Sequence, residues 1–556
     1  MSHPSPAATA GPMSGGYQLP TYPYVKPPEL CGRTDAMYPV VIVGAGLAGL
    51  TLACDLANRG IAAVVLDEDD TVGVRGASSR GICYAQRSLE IFDRLGAYPA
   101  MLDKGVTWSR ARVLSGDETL YQYDLSLASN SRQPPFINLQ QFYVEWFLVD
   151  RIEALGRTDI RWKNRVVDVT QVADCATLTV DTPDGEYTLR ASWVLDAAGV
   201  ASVTRDRLGL ATHTLGGHDR WCITDVRFRQ SMPVERRTWI EAPFNANRGV
   251  WQHLMADGVW RLDFQMEADA DPAYVARHDV AEQRVREMLG PDIDFEIVWV
   301  GAYSYRRQLL DDYRCGRVLF LGDAAHVTNP FGARGGNTGI QDADNLGWKL
   351  ALVLQGLAPE SLLDSYNAER RYVQLHNVQI TDRSSRFMSP PTAGDRCLRS
   401  AVLALARHFP FARALLNPGR MSSPLDYGAS PLNSGIGAAE GKALPNLALG
   451  RGRWLADLVR EGTSFVALAF GAAAGGPVAG ELDALSGRYP LRVVPLATSG
   501  DDVRGLMRQI GAEEGAVALL RPDLHLATVL ARPDARTLEL ALQCALAYSN
   551  HHGTTI

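Results

Sequence analysis

The sequence predicts an α/β fold in which a parallel sheet is interleaved with an antiparallel one and followed by a small α/β domain. Three observations carry this. The apolar run over 39–43 ends at Gly44, and Leu47, Leu50, Cys54 and Ala57 then recur at helical spacing before Gly60, which reads as strand, turn and helix. A second apolar run over 61–66 ends at Asp67 and completes a βαβ unit, whose strands must be parallel. Around 100–150 and 216–300 the pattern changes to short alternating strands such as 259–266, rich in Trp, Phe, Arg and Gln, which predicts an antiparallel sheet.

These patterns divide the chain in order. Residues 1–37, rich in Pro, Ser, Gly and Ala, read as a flexible arm that lacks the basic start and apolar core of a secretory leader. The parallel pattern opens at 38 and returns near 193–195 and 317–321, so a Rossmann-type nucleotide domain is expected from 38–100, 151–215 and 301–386. An antiparallel substrate domain of 101–150 and 216–300 interrupts it. A helix and a proline-rich connector fill 387–450. Residues 451–556 read as a separate α/β domain, with strands at 464–469, 491–495 and 516–520 around a helix near 502–510.

Composition narrows the function. With 46% hydrophobic and 21% charged residues the chain is globular rather than disordered, and 556 residues bury a sizeable core. The 62 acidic and 55 basic side chains are spread along the chain, so no basic block offers a footprint for nucleic acid or an anionic membrane. Eight cysteines stand singly, with no CxxC or zinc spacing, as expected of reduced thiols in a cytoplasmic protein without a bound metal. The apolar stretch over 38–57 is too glycine-rich, and too soon broken by Asp55, Asn58 and Arg59, to span a bilayer.

Two motifs carry chemistry. Gly44-Ala45-Gly46-Leu47-Ala48-Gly49 follows a strand, opens a helix and is followed by Asp67, 23 residues after Gly44. In that setting Gly44 permits the tight turn, Gly46 lets the backbone approach a pyrophosphate, and Gly49 lets helix and strand pack closely. The phosphate would sit on the helix N-terminus, and Asp67 would accept from an adenosine ribose. The second motif is the strand at 317–321 followed by Gly322-Asp323-Ala324-Ala325-His326 and Asn329-Pro330-Phe331-Gly332-Ala333-Arg334-Gly335-Gly336-Asn337.

That second string resembles the flavin-binding GD motif of the FAD-dependent class A aromatic monooxygenases, the group of p-hydroxybenzoate hydroxylase and phenol hydroxylase. Arg80-Gly81-Ile82 with Gln86-Arg87-Ser88 is similar to that family's flavin-side arginine segment, and Asn138-Leu139-Gln140-Gln141 with Glu145 to its central glutamine helix. The resemblance covers most of the chain and is strongest toward the 3-(3-hydroxyphenyl)propionate hydroxylase-like subgroup, whose members carry a thioredoxin-like C-terminal domain. It implies non-covalent FAD held by Gly44, Gly46, Gly49, Asp67, Arg80, Gln141, Gly322, Asp323, Pro330, Gly335, Gly336 and Asn337. It also implies that NAD(P)H reduces the flavin, that O2 adds at flavin C4a, and that the hydroperoxide hydroxylates a phenolic ring. The positive end of the helix after Pro330 would favour an anionic reduced flavin by about 0.3 to 2 kcal/mol. His326 reads as a packed histidine behind the loop rather than a base.

One segment departs from the family. Where it usually carries an acid followed by Gly, Ser and Arg, this chain keeps Gly199, Ser202 and Arg205 but has Ala198 in place of the acid. Asp196 stands two residues too early to replace it simply, which puts the mode of NAD(P)H binding in question.

No second complete GxGxxG, active CxxxxC, GxxxxGK[ST], HExxH or GxSxG occurs, which excludes a separate NAD(P)H Rossmann domain, disulfide reductases, P-loop enzymes and the commoner hydrolases. The C-terminal domain has no dithiol. Catalytic candidates are Arg261, Asp263 and Gln265, which share one strand face, and Tyr303 and Tyr305. That face would line a phenol pocket or else face solvent. The expected partners are a small phenol, O2 and NAD(P)H, with room for a homodimer. Two rivals stand beside aromatic hydroxylation: epoxidation or hydroxylation of a polycyclic polyketide, and flavin binding without turnover.

Overall fold

The structure is a computed structural model that describes residues 9–10, 17–32, 36–73, 81–125, 131–416, 422–460 and 462–548, without the side chains of 9–10, 214–219 and 304–306. Arg80, the side chain of Tyr305 and the terminal His551 and His552 lie outside the described residues. The elements that position the site begin with β1 (Met37–Val43), α1 (Leu47–Asn58), β2 (Ala63–Leu66), α2 (Gln86–Leu95), α3 (Gln141–Leu155) and β3 (Gly185–Asp196). They continue with β4 (Thr212–Phe228), β5 (Arg248–Leu254), β6 (Val259–Gln265), β7 (Phe295–Leu310), β8 (Val318–Phe320), α4 (Arg334–Leu354) and α5 (Asp364–Met388).

The first sheet has β1 and β2 at its heart, because Val40, Val41, Ile42, Val64 and Val65 are apolar on both faces and all buried. Its order is Thr158–Arg161, β2, β1, β3, then Cys175–Thr182 and Arg165–Val172. β3 changes role along its length: its first half pairs antiparallel with Cys175–Thr182, while its second half runs parallel to β1 and to β8. The ends of β1 and β3 therefore open side by side, where a ligand is expected in such sheets.

The second sheet runs His326–Val327, β7, β4, β6, β5, Arg236–Ala242, Arg110–Ser115, Glu118–Asp124. One face, carrying Trp260, Leu262 and Phe264 of β6 with Val226, Val250 and Val285, forms its own apolar core. The third sheet, Leu491–Leu496, Phe465–Phe470, Val517–Leu520 and Leu526–Leu530, has a parallel first pair and antiparallel remainder, the thioredoxin-like arrangement.

Several expected boundaries move. The expected arm is packed over 17–32: Tyr17, Leu19 and Tyr22 are buried in the main core, Gln140 Nε2 donates to Tyr17 Oη at 2.8 Å, and Tyr22 stacks on Trp162 at 4.5 Å. Residues 301–310 belong to the second sheet, since β7 runs unbroken beside β4. Residues 141–150, expected in the substrate domain, are the first part of α3, whose Val144, Leu148, Val149 and Ile152 join the core shared with α1.

The C-terminal domain is not separate. Trp348 and Leu352 of α4 complete the core on one face of its sheet. Arg521 donates to Glu369 Oε1 and Oε2 at 2.6 and 2.9 Å and to Asp523 Oδ2 at 2.6 Å, while Lys349 Nζ donates to Glu369 Oε2 at 2.7 Å. Arg87 and Arg94 of α2 donate to the carbonyls of Leu444 and Pro522, each at 3.0 Å. The domain is thus fastened through buried charge to α2, α4 and α5.

Candidate functional site

The first cradle forms where β1 meets α1. Gly44 has φ of +100°, and a Cβ there would lie 2.6 Å from Ala197 O; one on Gly49 would lie 2.0 Å from Gly44 O. Neither position tolerates a side chain. Gly46 differs, because the nearest atom to an added Cβ is Glu145 Oε1, 3.9 Å away, so open space lies before the first turn of α1. No side chain caps that turn from Gly46, which leaves backbone amides for an anion. Asp67 follows β2 and accepts from Ala45 N at 2.6 Å and Asp69 N at 2.9 Å, clamping the two loops; burial raises it to about 6.

α3 supplies the floor. Gln141 accepts from Gly81 N at 3.1 Å and donates to Glu145 Oε1 at 2.8 Å, and Glu145 Oε2 accepts from Gly73 N at 2.8 Å. Burial lifts Glu145 to about 7 although these donors, and the amide of Leu47, pull it back. A buried carboxyl that can hold a proton at neutral pH therefore stands at the start of α1, a feature that the sequence motif alone does not disclose.

The second cradle follows β8. Gly322 has φ of +59° and packs against Ala48 and Gly339, so α1 and α4 cross where only small residues fit. Asp323, next in this turn, is exposed. His326 is buried behind the loop, its Nε2 2.6 Å from Asp342 Oδ2, and Arg370 Nε donates to Asp342 Oδ1 at 2.6 Å. Burial would raise Asp342, yet His326 and Arg370 hold it at about 2. The second turn of bonds closes the loop, because Gly322 N also donates to Asp342 Oδ2, at 3.1 Å.

α4 starts after Pro330 without a side-chain cap, and an added Cβ on Gly335 would meet nothing within 4 Å. Gly336 faces Leu47 Cδ2, so the two uncapped helix starts are neighbours. Asn329 in this loop is buried with its Oδ1 unpartnered. Asn337 is different: its Oδ1 accepts from Ala85 N and Ser88 Oγ at 2.9 and 2.6 Å, and its Nδ2 donates to Cys83 O and Ala333 O at 2.8 and 2.6 Å. Its side-chain amide is committed to protein and shapes the loop.

A family model described as the FAD binding domain matches residues 37–381, across both cradles. The chain belongs to this FAD-binding family. A flavin-dependent monooxygenase of Mycobacteroides abscessus is 33% identical over 369 residues, 63% of this chain and 75% of that one. The 6-methylpretetramide 4-monooxygenase of Streptomyces rimosus is 28% identical over 567 residues, 93% of this chain and 94% of that one. The flavin-dependent monooxygenase PieE, solved with FAD and substrate, matches in fold with a TM-score of 0.76 at 23% identity, over 93% of this chain and 100% of that one. This FAD-binding protein is an oxidoreductase of the flavin monooxygenase class, with FAD as its cofactor. Two adjacent uncapped helix starts, open space before Gly46 and Gly335, and an orphaned acceptor at Asn329 fit such a group.

The departure at Ala198 is partly repaired in this flavoprotein. Asp196 is fully buried and accepts from Ala198 N at 2.9 Å and Ser202 Oγ at 2.5 Å, while Arg205 Nη2 donates to Val200 O at 2.8 Å. The turn folds back on itself, so a strand residue two positions early does reach the serine. Asp196 thereby organises this loop.

The face of β6 that was expected to line a pocket or face solvent is enclosed: Arg261, Asp263 and Gln265 are 2%, 6% and 5% exposed. Arg261 is spent on Asp225, with Nε and Nη2 donating at 2.9 Å each. Gln265 accepts from Gly249 N at 2.9 Å and donates to Ser389 Oγ. Beside them Trp221 and Trp251 stack at 4.2 Å, and Phe331 of the flavin loop meets Trp251 edge-on at 5.4 Å. Tyr303 and Met388 pack on this aromatic group. The loop after β8 thus touches the polar side of the second sheet directly, through Phe331. Neither Trp221, Trp251 nor His253 stood out in the sequence, because their meeting depends on strand register. Among the described residues no group of His, Cys, Asp and Glu could hold a metal, and no helix is long and apolar enough to cross a membrane.

Proposed function

We propose that this flavoprotein hydroxylates a phenolic ring held between the flavin loop and the inner face of the second sheet, with NAD(P)H as reductant and O2 as oxidant. The observation that carries this reading is the buried aromatic group of Trp221, Trp251 and Phe331, which joins that loop to a polar sheet face. Bound and reduced, FAD supplies the activated oxygen. The cradles at Gly44, Gly46 and Gly49 and at Gly322, Asp323, Pro330, Gly335 and Gly336, with Asp67 and Gln141 alongside, would hold it. Trp221 and Trp251, stacked on each other and buried, form with Phe331 an apolar wall against which a ring would lie, and the surrounding burial excludes the water that would waste the oxidant. Arg261, tied to Asp225, fixes the sheet face rather than binding a free anion.

A second reading, a phenol within a fused polycycle, is favoured by the 6-methylpretetramide relative, whose likeness runs through nearly the whole chain. A panel of monocyclic and polycyclic phenols separates the two. Substrate-stimulated NAD(P)H oxidation in air should accompany a product heavier by one oxygen atom, and no stimulation by any phenol would contradict hydroxylation.

A further inference from the structure

We propose that Asp263, with His253 beside it, takes up the proton of the substrate's ring hydroxyl. This inference rests on the reading that the pocket receives a phenol. Register places the pair. Asp263 lies opposite Trp251 on β5 and Ile223 on β4, and the next row inward holds Arg261 between His253 and Asp225. Asp263 is therefore in the same row as Trp251, which stacks on Trp221 and meets Phe331 of the flavin loop. His253 reaches diagonally, with Nε2 4.0 Å from Asp263 Oδ2 and Nδ1 3.9 Å from Cys83 Sγ. Cys83 is itself tied to the start of α4, since its carbonyl accepts from Asn337 Nδ2. The pair thus links the row of the aromatic group, through Cys83, to the start of α4.

The charges around Asp263 leave it able to change state. Arg261 donates two bonds to Asp225 and, like Arg236, acts on Asp263 through space. Burial dominates and lifts Asp263 to about 7, with Arg261 and Arg236 lowering it and Asp225 raising it. Burial, then Arg236 and Arg261, push His253 well below its ordinary value, so its ring stays neutral and can hold a proton in transit only briefly. Above neutral pH the carboxylate is ionised and unscreened by water. When a phenol arrives its O–H bond breaks, the electron pair stays on the ring oxygen, and the proton goes to the carboxylate. The ring oxygen and Asp263 then share one proton, and no further reactant is consumed.

The test uses oxidised holoenzyme and 2,4-dinitrophenol, a phenol already ionised between pH 6 and 9, without NAD(P)H. A phenolate next to Asp263 requires that carboxyl to be protonated. Titration calorimetry in buffers of different ionisation enthalpy should show uptake of about one proton on binding at pH 8 and almost none at pH 6, with affinity falling about tenfold per pH unit above 7. Asp263→Asn should abolish both effects, and Asp263→Glu should restore them. Binding without proton uptake at pH 8, or uptake that survives in Asp263→Asn, overturns the proposal while leaving the phenol pocket standing. Should Asp263→Asn lose its flavin, the contrast between pH 8 and pH 6 is read in Glu145→Gln holoenzyme: persistence supports Asp263, and its loss assigns the proton to Glu145 and overturns the proposal. Failure of dinitrophenol to bind at all contradicts the pocket reading and this proposal with it.

Discussion

Two of the buried clusters of charge among the described residues behave oppositely. Beneath α4, Glu369 accepts from Arg521 and Lys349, Asp523 accepts from Arg521, and Asp342 is shared by His326 and Arg370. Every carboxylate there has short, charged donors, so despite burial Glu369, Asp523 and Asp342 are all held below the ordinary carboxylate range. On the inner face of the second sheet the balance is left incomplete. Arg261 donates its two bonds to Asp225, and Asp263 has Arg261 and Arg236 only through space, with a neutral histidine 4.0 Å away. Burial by itself does not make a group titrate near neutrality. It does so where the compensating charge is given to another partner, which is where a proton can be exchanged at working pH.

The comparison can be broken most severely at the fastening of the C-terminal domain. Arg521→Ala should leave Glu369 and Asp523 buried without their main donor and cost about 3 to 5 kcal/mol. A fall in melting temperature together with loss of bound FAD is expected, because Glu369 and Asp342 flank the same turns of α4 and α5. A variant that keeps both stability and FAD would contradict this fastening.

Glu145 sharpens the comparison at the first cradle. It is buried like Glu369 but has amide donors instead of cations, and it is lifted to about 7. Its ionised form stands where a pyrophosphate would arrive, so FAD should bind more weakly as pH rises through 7, by up to about tenfold per unit. In Glu145→Gln that dependence should vanish, as measured by flavin fluorescence titration between pH 6 and 9.

The smallest effect is expected at Ala198. Asp196 already accepts from Ala198 N and Ser202 Oγ, so the turn is held without an acid at 198. In Ala198→Asp, anaerobic stopped-flow reduction by NADPH and NADH should change less than about threefold, a barrier change of about 0.65 kcal/mol. A larger acceleration would show that the missing acid matters for the nucleotide itself.

What the sequence disclosed follows from which interactions are local. The strand, glycine turn and helix over 37–58 were legible because their pattern and the glycine requirements lie within one short stretch. The loop after β8 was legible through a family resemblance, since no rule of spacing yields the string from Gly322 to Asn337. The bond from Arg521 to Glu369 spans 152 residues, and the approach of His253 to Asp263 is a diagonal between strands. Neither can be found before the topology and register are known. The packing of 17–32 was hidden because its few anchors, Tyr17, Leu19 and Tyr22, are scattered among prolines that read as a linker. The unbroken run of β7 similarly carries the second sheet past the point where the chain seems to return to the first.

The dependence of stability on pH tests the contrast between the two clusters most directly. Asp263 is raised from 3.8 to about 7 in the folded state, so between those values the folded protein holds a proton that the unfolded chain has released. Its contribution therefore favours folding at low pH and is lost as pH rises through that window, by at most about 4 kcal/mol. Denaturant unfolding of Asp263→Asn and wild-type holoenzyme should show the variant gaining relative stability from pH 5 to about pH 7 and levelling off by pH 8. Two parallel stability curves would contradict the account, because Asp263 would then be as firmly ionised as the carboxylates beneath α4.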